Sequence, residues 1–258
     1  MVFLLVLAGV GSVRAQQLPS SEELRNRIHA YAEQYRQNLP SFEVDESAVS
    51  QQVKGDRVKW EVKLEMGLRE IRDEAHPGDL KDFYTFRLVN GKPPKKHLKL
   101  PPFNRKAKLP YFVHGVFSNV IGFVGTGMGC MEYRVSPGTS SATVKLETWN
   151  KQGPLPEECK DILEDYHKTL LVERETGRVL HVTRSMSDEA ARTHHELAFV
   201  DVEFAPQKLG EETFWLPVHF VTHGGKNEGR MEATYSNFHR YTASVKILES
   251  DPLPEVTP

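Results

Sequence analysis

The alternation of apolar and charged residues between positions 60 and 68 constrains the fold of this chain more than any other feature. The segment reads Trp60-Glu61-Val62-Lys63-Leu64-Glu65-Met66-Gly67-Leu68. A period of two over this length is typical of a β-strand with one buried and one solvated face, as in antiparallel sheets. The chain is therefore expected to be mainly antiparallel β.

The same alternation recurs along the chain at spacings typical of hairpins. The further strands are expected at 42–44, 84–88, 130–135, 142–149, 168–173, 178–184, 197–204, 213–221, 229–235 and 238–248. Asn90-Gly91 and Glu175-Thr176-Gly177 supply turn residues between neighbouring strands. No break in composition divides residues 16–248, so one β-rich domain is expected there. The predicted class is α+β: a large curved antiparallel sheet, an unclosed half-barrel, which can enclose a cavity.

Two helices are expected against the concave face. Ser20 and Glu23 have the spacing of a capping box, and apolar or aromatic residues follow at helical spacing: Leu24, Ile28, Tyr31 and Tyr35. The second helix, central in the chain, is expected over 111–124, where apolar residues occupy most faces. It could be a fixed plug in the core, a movable lid over an apolar ligand, or a segment that inserts at a membrane interface.

Four glycines follow in the stretch Val120-Ile121-Gly122-Phe123-Val124-Gly125-Thr126-Gly127-Met128-Gly129-Cys130. A phosphate-binding loop needs a lysine directly after its last glycine, and a dinucleotide site needs the third glycine one residue later. The stretch meets neither requirement, so it is interpreted as a hinge.

The N-terminus has the features of a secretory signal. Residues 2–10 are apolar and Val13-Arg14-Ala15 fits a cleavage site. Residues 1–15 are therefore expected to be a signal peptide cleaved after Ala15, giving a periplasmic or secreted protein; the alternative is a buried N-terminal strand. Residues 249–258 are acidic and proline-rich and are expected to be disordered. Cys130 and Cys159 form a disulfide or are two buried thiols.

A basic segment spans residues 91–110 and contains no acid. Its prolines exclude a helix or a central strand, so it is expected to be an exposed loop. It is either a solvated connection or a contact surface for an anionic membrane or polyanion. The residues proposed for that contact are Lys95, Lys96, Lys99, Arg105 and Lys106.

No reaction or metal site is indicated. His219 and His223 are four apart, but on a strand they would be ~13 Å apart, too far to share one ion. No hydrolase nucleophile motif occurs, and a formal net charge of −2 argues against a dedicated nucleic-acid binder. No cofactor is predicted, and an enzyme is the least favoured class.

Five short motifs together resemble a known group. They are Leu39-Pro40-Ser41-Phe42, Leu88-Val89-Asn90-Gly91-Lys92, Glu175-Thr176-Gly177-Arg178-Val179-Leu180, Phe214-Trp215-Leu216-Pro217 and Tyr235-Ser236-Asn237-Phe238-His239-Arg240-Tyr241. In this order they resemble uncharacterised exported bacterial proteins. The layout is similar to the outer-membrane lipoprotein carrier and receptor (LolA/LolB-like) superfamily. That resemblance implies an unclosed barrel around an apolar cavity that binds acyl chains without catalysis.

The leading functional hypothesis is a non-catalytic extracytoplasmic binding protein for a lipid or another apolar ligand. The candidate lining residues are Trp60, Val62, Leu64, Met66, Phe86, Val116, Phe117, Val120 and Phe123. The alternative is an envelope interaction protein with a filled core, which contacts anionic partners through residues 92–108.

Overall fold

The structure is a computed structural model, and it describes residues 17–54, 57–73, 79–94, 115–117, 131–151, 166–194, 197–224 and 229–242. These residues form ten strands and two helices. The elements are α1 (Ser21–Asn38), β1 (Phe42–Lys54), β2 (Arg57–Arg72), β3 (Leu80–Val89), β4 (Met131–Pro137), β5 (Thr143–Asn150), β6 (His167–Glu173), β7 (Val179–Ser185), α2 (Asp188–His194), β8 (Phe199–Leu209), β9 (Glu212–His223) and β10 (Gly229–Arg240). No helix in the described ranges is both long and apolar enough to cross a bilayer.

All ten strands belong to one antiparallel sheet in the order β3-β2-β1-β10-β9-β8-β7-β6-β5-β4. The first and last strands pair in the middle of the sheet, with Phe42 opposite Arg240 and Gln52 opposite Gly229. β3 and β4 do not pair with each other, so they are the two edges. The predicted fold class, an unclosed antiparallel half-barrel, is confirmed.

The alternation that predicted β2 is also its burial pattern. Leu64, Met66 and Leu68 are buried, whereas Lys63 and Glu65 point to solvent. Burying each such apolar side chain stabilises a fold by about 1.5–3 kcal/mol relative to exposure. Because a slip of one residue would exchange the two faces, this pattern also fixes the register of β2 between β1 and β3.

The first helix lies on the concave face, where its apolar side joins the single large core of the sheet. The Ser20 side chain accepts the Glu23 N–H at 3.1 Å and caps α1, as the sequence predicts. Farther along, Arg27 Nη1 donates to the Arg174 carbonyl oxygen at 2.6 Å. That carbonyl belongs to the β6–β7 turn, so the helix and the turn are in direct contact.

Three details differ from the sequence-based expectations. β10 is one strand through Arg240, whereas two strands were expected on either side of residues 236–237. Asn237, at φ +56°, lies in a β-bulge opposite β1 and donates from Nδ2 to Asp45 Oδ2 at 2.8 Å. Because of the bulge, residues 236–237 fit into the strand without ending it.

The second difference is helix α2, which the periodicity did not indicate because it spans only two turns. The Ser187 hydroxyl caps it by accepting the Ala190 N–H at 3.1 Å. The third concerns the helix expected over 111–124. Residues 115–117 form a turn, and Gly115 has φ +72°, so the backbone there is not helical. The rest of that segment lies outside the described residues.

Candidate binding site on the concave face

The structure brings together the candidate lining residues that it describes on one face. Val62, Leu64 and Met66 are buried on the inner face of β2. Phe86 of β3 pairs with Met66 and shares that face. Phe86 and Trp60 are only partly buried and pack against the same core. Val120 and Phe123 lie outside the described residues.

The inner side of the edge strand β3 is incompletely covered. Its residues remain partly exposed although their neighbours on β2 are almost fully buried. We call the β3 residues Leu80, Tyr84, Phe86 and Val89, together with Trp60 of β2, the β3 strip. Within the described part of the chain, β3 pairs with β2 only, so the core covers its inner face less completely than that of β2. The strip is an apolar surface at the rim of the concave face.

The central apolar segment reaches the core at Val116 and Phe117, which are 2% and 0% exposed. The Phe117 ring meets Phe42 and Tyr235 edge-on, with centroid distances of 5.1 and 5.0 Å. Just before it, the Gly115 N–H donates to Asp82 Oδ2 at 2.5 Å. We call Gly115–Phe117 the plug, because these residues pack into the core.

Three carboxyl groups lie beside this plug on neighbouring strands. Glu46 is on β1, Glu70 on β2 and Asp82 on β3, and Glu70 pairs directly with Asp82. Glu46 is 2% and Glu70 0% exposed. Among the described residues, no side chain or backbone N–H donates to any carboxyl oxygen of Glu46 or Glu70. We call these three residues the acid cluster.

Burial decides the ionisation of two of these acids. It raises the pKa of Glu46 to about 8, and the negative charge of Asp82 adds to the effect. For Glu70, burial raises the pKa to about 10, and the negative charges of Asp82 and Glu46 add to the effect. Glu46 and Glu70 are therefore mainly protonated at neutral pH.

Tyrosine hydroxyls surround the acid cluster. Tyr84 Oη donates to Asp82 Oδ2 at 3.3 Å, and Tyr235 lies opposite Glu46 on β10. Tyr35 of α1 is buried next to Glu70, and its hydroxyl finds no hydrogen-bond partner in the described ranges. Burial raises the pKa of all three phenols. The cluster and these tyrosines thus form a group of polar side chains inside an otherwise apolar core.

The acid cluster was not predicted from the sequence, although a signal was present. In β1 the inward positions run Phe42, Val44, Glu46 and Ala48, so Glu46 interrupts an apolar register. Glu70 does the same after Leu68 on β2. A charged residue at an inward position of a well-defined strand indicates either a buried partner or a ligand.

The histidines behave as the strand assignment predicts. His219 and His223 both lie on β9; His219 Nε2 is 2.9 Å from Glu232 Oε1, and the His223 ring stacks on Phe199 at 5.1 Å. In the described ranges no group of three His, Cys, Asp or Glu side chains is placed to hold a metal ion. The proposed contact residues (Lys95, Lys96, Lys99, Arg105, Lys106) and both cysteines (Cys130, Cys159) lie outside the described residues.

A groove of about 450 Å³ lies on the opposite, outer face of β10, β1, β2 and β3. Gly67 lacks a side chain at its floor, and the Arg87 guanidinium lies across it. Arg87 pairs with Asp45 at 2.5 Å, and Arg69 lies 3.7 Å from Glu43. The positive and negative side chains that line the groove therefore largely neutralise one another.

No family model matches the chain, and no curated protein does. Solved structures that are similar to this chain include three from bacteria. A domain from Vibrio parahaemolyticus described as an outer-membrane lipoprotein-sorting protein is 12% identical; the match covers 85% of this chain and 93% of that one, with a TM-score of 0.39. A DUF1329 family protein from Desulfovibrio piger is 9% identical, with coverages of 87% and 94% and a TM-score of 0.42.

The third structure, a LolA superfamily protein from Nitrosomonas europaea, is 12% identical. The match covers 89% of this chain and 99% of that one, with a TM-score of 0.34. Since all three TM-scores are below 0.5, the function proposed below rests on this chain's own residues.

Proposed function

We propose that this protein is a non-catalytic extracytoplasmic binding protein for a lipid, an acyl chain or a similar apolar ligand. The observation that supports this proposal most strongly is the β3 strip, a row of partly exposed apolar side chains that continues the inner face of β2. The ligand chain lies along this strip and completes the core at the open edge of the sheet. The signal-like residues 1–15 support export, which N-terminal sequencing of the secreted protein tests.

Burial of apolar surface supplies the driving force. Each Å² of apolar surface removed from water contributes about 25 cal/mol, and the strip offers three aromatic rings, Trp60, Tyr84 and Phe86. A ligand chain would cover these rings together with Val89. Two of the candidate lining residues, Trp60 and Phe86, belong to the strip. Val62, Leu64 and Met66 are the buried residues beside it on the inner face of β2.

Titration with a fluorescent fatty acid tests the proposal. Phe86→Ala should weaken binding about tenfold, because the ring loses roughly 1.4 kcal/mol or more of contact with the chain. Phe83→Ala is the matched control: Phe83 is on the same strand but 48% exposed, and it alternates to the outer face. Equal affinities for the two variants and the unchanged protein would contradict binding at the strip.

The basic segment supports a second proposal, contact with an anionic membrane surface. Residues 91–110 carry seven lysines and arginines and no acid, a composition that attracts anionic headgroups in a salt-dependent way. Cosedimentation with vesicles containing phosphatidylserine should fall as salt rises. The triple variant Lys95→Ser, Lys96→Ser, Lys99→Ser should abolish it; unchanged cosedimentation would count against this contact.

A further inference from the structure

The acid cluster lies where a ligand bound along the β3 strip would place its head. We propose that this cluster recognises an ammonium group, so that the preferred ligand is a long-chain amine or a lipid with an amine headgroup. This inference rests on the proposed function and specifies its ligand class.

The strip leads directly to the cluster. Asp82, Tyr84 and Phe86 are successive inward residues of β3, opposite Glu70, Leu68 and Met66 of β2. Successive inward side chains of a strand are roughly 6.8 Å apart. A chain that covers Phe86 and Tyr84 therefore reaches Asp82, which lies opposite Glu70 of β2. Glu46 of β1 lies opposite Met66, in the row of Phe86, and acts on Asp82 and Glu70 through its charge.

The charge around the cluster favours a cation. In the described ranges, the charged groups that act on Glu46 and Glu70 are themselves carboxyls. An isolated buried carboxylate is strongly unfavourable, whereas one paired with a cation is not. An ammonium supplies that missing charge. An anionic headgroup would instead meet the negative charge of Asp82.

The hydrogen-bonding groups also fit. An ammonium has three N–H donors, and Glu70 and Asp82 offer acceptor oxygens from two facing strands. A second observation is the Tyr35 hydroxyl, which is buried, has no hydrogen-bond partner in the described ranges and interacts electrostatically with Glu70. Its oxygen could also accept from the headgroup.

Binding of an ammonium ligand should release a proton, and this release can be measured. The titratable groups that face the site are Tyr35 from α1, Glu46 from β1, Glu70 from β2, Asp82 and Tyr84 from β3, and Tyr235 from β10. The Gly115–Phe117 segment adds a backbone N–H and a ring. When an ammonium enters, a protonated glutamic acid transfers its proton to buffer and pairs with the cation as a carboxylate. Neutral ligands lack this effect.

Isothermal titration with dodecylamine, dodecanol and dodecanoate, below their micelle concentrations at pH 7, tests the inference. The three probes share one chain and differ in the head. We expect dodecylamine to bind about tenfold or more tightly than dodecanol, and dodecanoate to bind most weakly. Repeating the amine titration in two buffers of different ionisation enthalpy should reveal proton release, absent with dodecanol.

Glu46→Gln and Glu70→Gln should each remove most of the amine preference and the proton release, while dodecanol affinity stays within about twofold. Glu65→Gln is the matched control, since Glu65 points to solvent on β2. If a glutamine variant fails to fold, Tyr35→Phe, which keeps the ring, should still lower the amine preference severalfold.

The outcomes separate the two claims. Equal binding of all three probes, or the tightest binding by dodecanoate, overturns the ammonium site and leaves the apolar binding function standing. An amine preference that survives Glu46→Gln and Glu70→Gln also overturns it. If none of the probes binds, the proposed function fails and the headgroup inference fails with it.

Discussion

Glu70 and Asp82 lie opposite each other on the paired strands β2 and β3, and burial together with the charge of Asp82 raises the pKa of Glu70. Glu46 lies on β1, opposite Met66 of β2 and Tyr235 of β10, and the charge of Asp82 raises its pKa too. The fold therefore holds acids in their neutral form in its interior. This arrangement links protonation to both stability and the proposed headgroup recognition.

The first prediction concerns pH and stability. The unfolded chain ionises Glu46 and Glu70 at ordinary pKa values near 4.5, whereas in the fold these values rise to about 8 and about 10. Between pH 5 and 8 the native state binds more protons, so its stability falls as pH rises, by up to about 1.4 kcal/mol per pH unit for each group. Below pH 4.5 this contribution is fully present.

Urea unfolding at several pH values measures this slope. Glu46→Gln should flatten it and should make the protein more stable relative to wild type at pH 8 than at pH 5. Glu61→Gln, on the exposed face of β2, should leave the slope unchanged. A parallel pH profile for Glu46→Gln and wild type would contradict neutral burial of this acid.

The second prediction concerns Lys168, which should make stability rise with pH instead of fall. Lys168 on β6 is 1% exposed; burial, and next the charge of Arg184, lowers its pKa to about 8 from 10.5. Between pH 8 and about 10 the unfolded chain binds the extra proton, so this lysine makes stability rise with pH. Lys168→Met should reduce that rise, as judged by the difference between variant and wild-type unfolding free energies. A constant difference across this range would refute the assignment.

A third prediction concerns the contact between α1 and the β6–β7 turn. A Cβ at Gly177 would lie 2.4 Å from the Arg27 carbonyl carbon, and the backbone there has φ +70°. Gly177→Ala should therefore destabilise the fold by about 3 kcal/mol or more, through a backbone clash added to the left-handed conformation.

Gly91→Ala provides the control for that experiment. Gly91 has almost the same φ, +72°, but a Cβ there meets nothing within 4 Å. It should cost only about 1–2 kcal/mol. If the two variants show equal losses in chemical denaturation, the helix does not press on this turn.

A fourth prediction concerns the plug. Phe117→Ala removes a fully buried ring that contacts Phe42 and Tyr235, and such a loss costs about 3–5 kcal/mol. Phe83→Ala, at a half-exposed site on the outer face of β3, should change stability by less than about 0.5 kcal/mol. A loss below 1 kcal/mol for Phe117→Ala would show that the segment does not pack in the core.

The strands and their buried faces could be predicted from the sequence because alternation is a local signal. The hairpin of β6 and β7 and the exposed alternate positions of β2 follow from it directly. Helix α2 could not be predicted, since seven residues carry too little periodicity. The continuity of β10 was missed because the bulge at Asn237 depends on Asp45, which is nearly two hundred residues away.

The acid cluster shows the same limit at the level of the site. An acid at an inward position, such as Glu46, is visible in the sequence, but the acids that lie near it are not. Their proximity depends on the pairing of β1 with β2 and of β2 with β3, and on the register of each pair. The aromatic members of the β3 strip were accessible to prediction, because Trp60 and Phe86 stand in register with buried neighbours.

Native mass spectrometry of the mature protein, purified from its exported location and followed by lipid extraction, tests the central claim most directly. We predict a one-to-one adduct of an apolar ligand, lost on extraction and restored by adding a long-chain amphiphile. The Phe86→Ala variant should carry less of it than Phe83→Ala. A clean unliganded mass in every preparation, with no uptake of any added amphiphile, would contradict the proposed function.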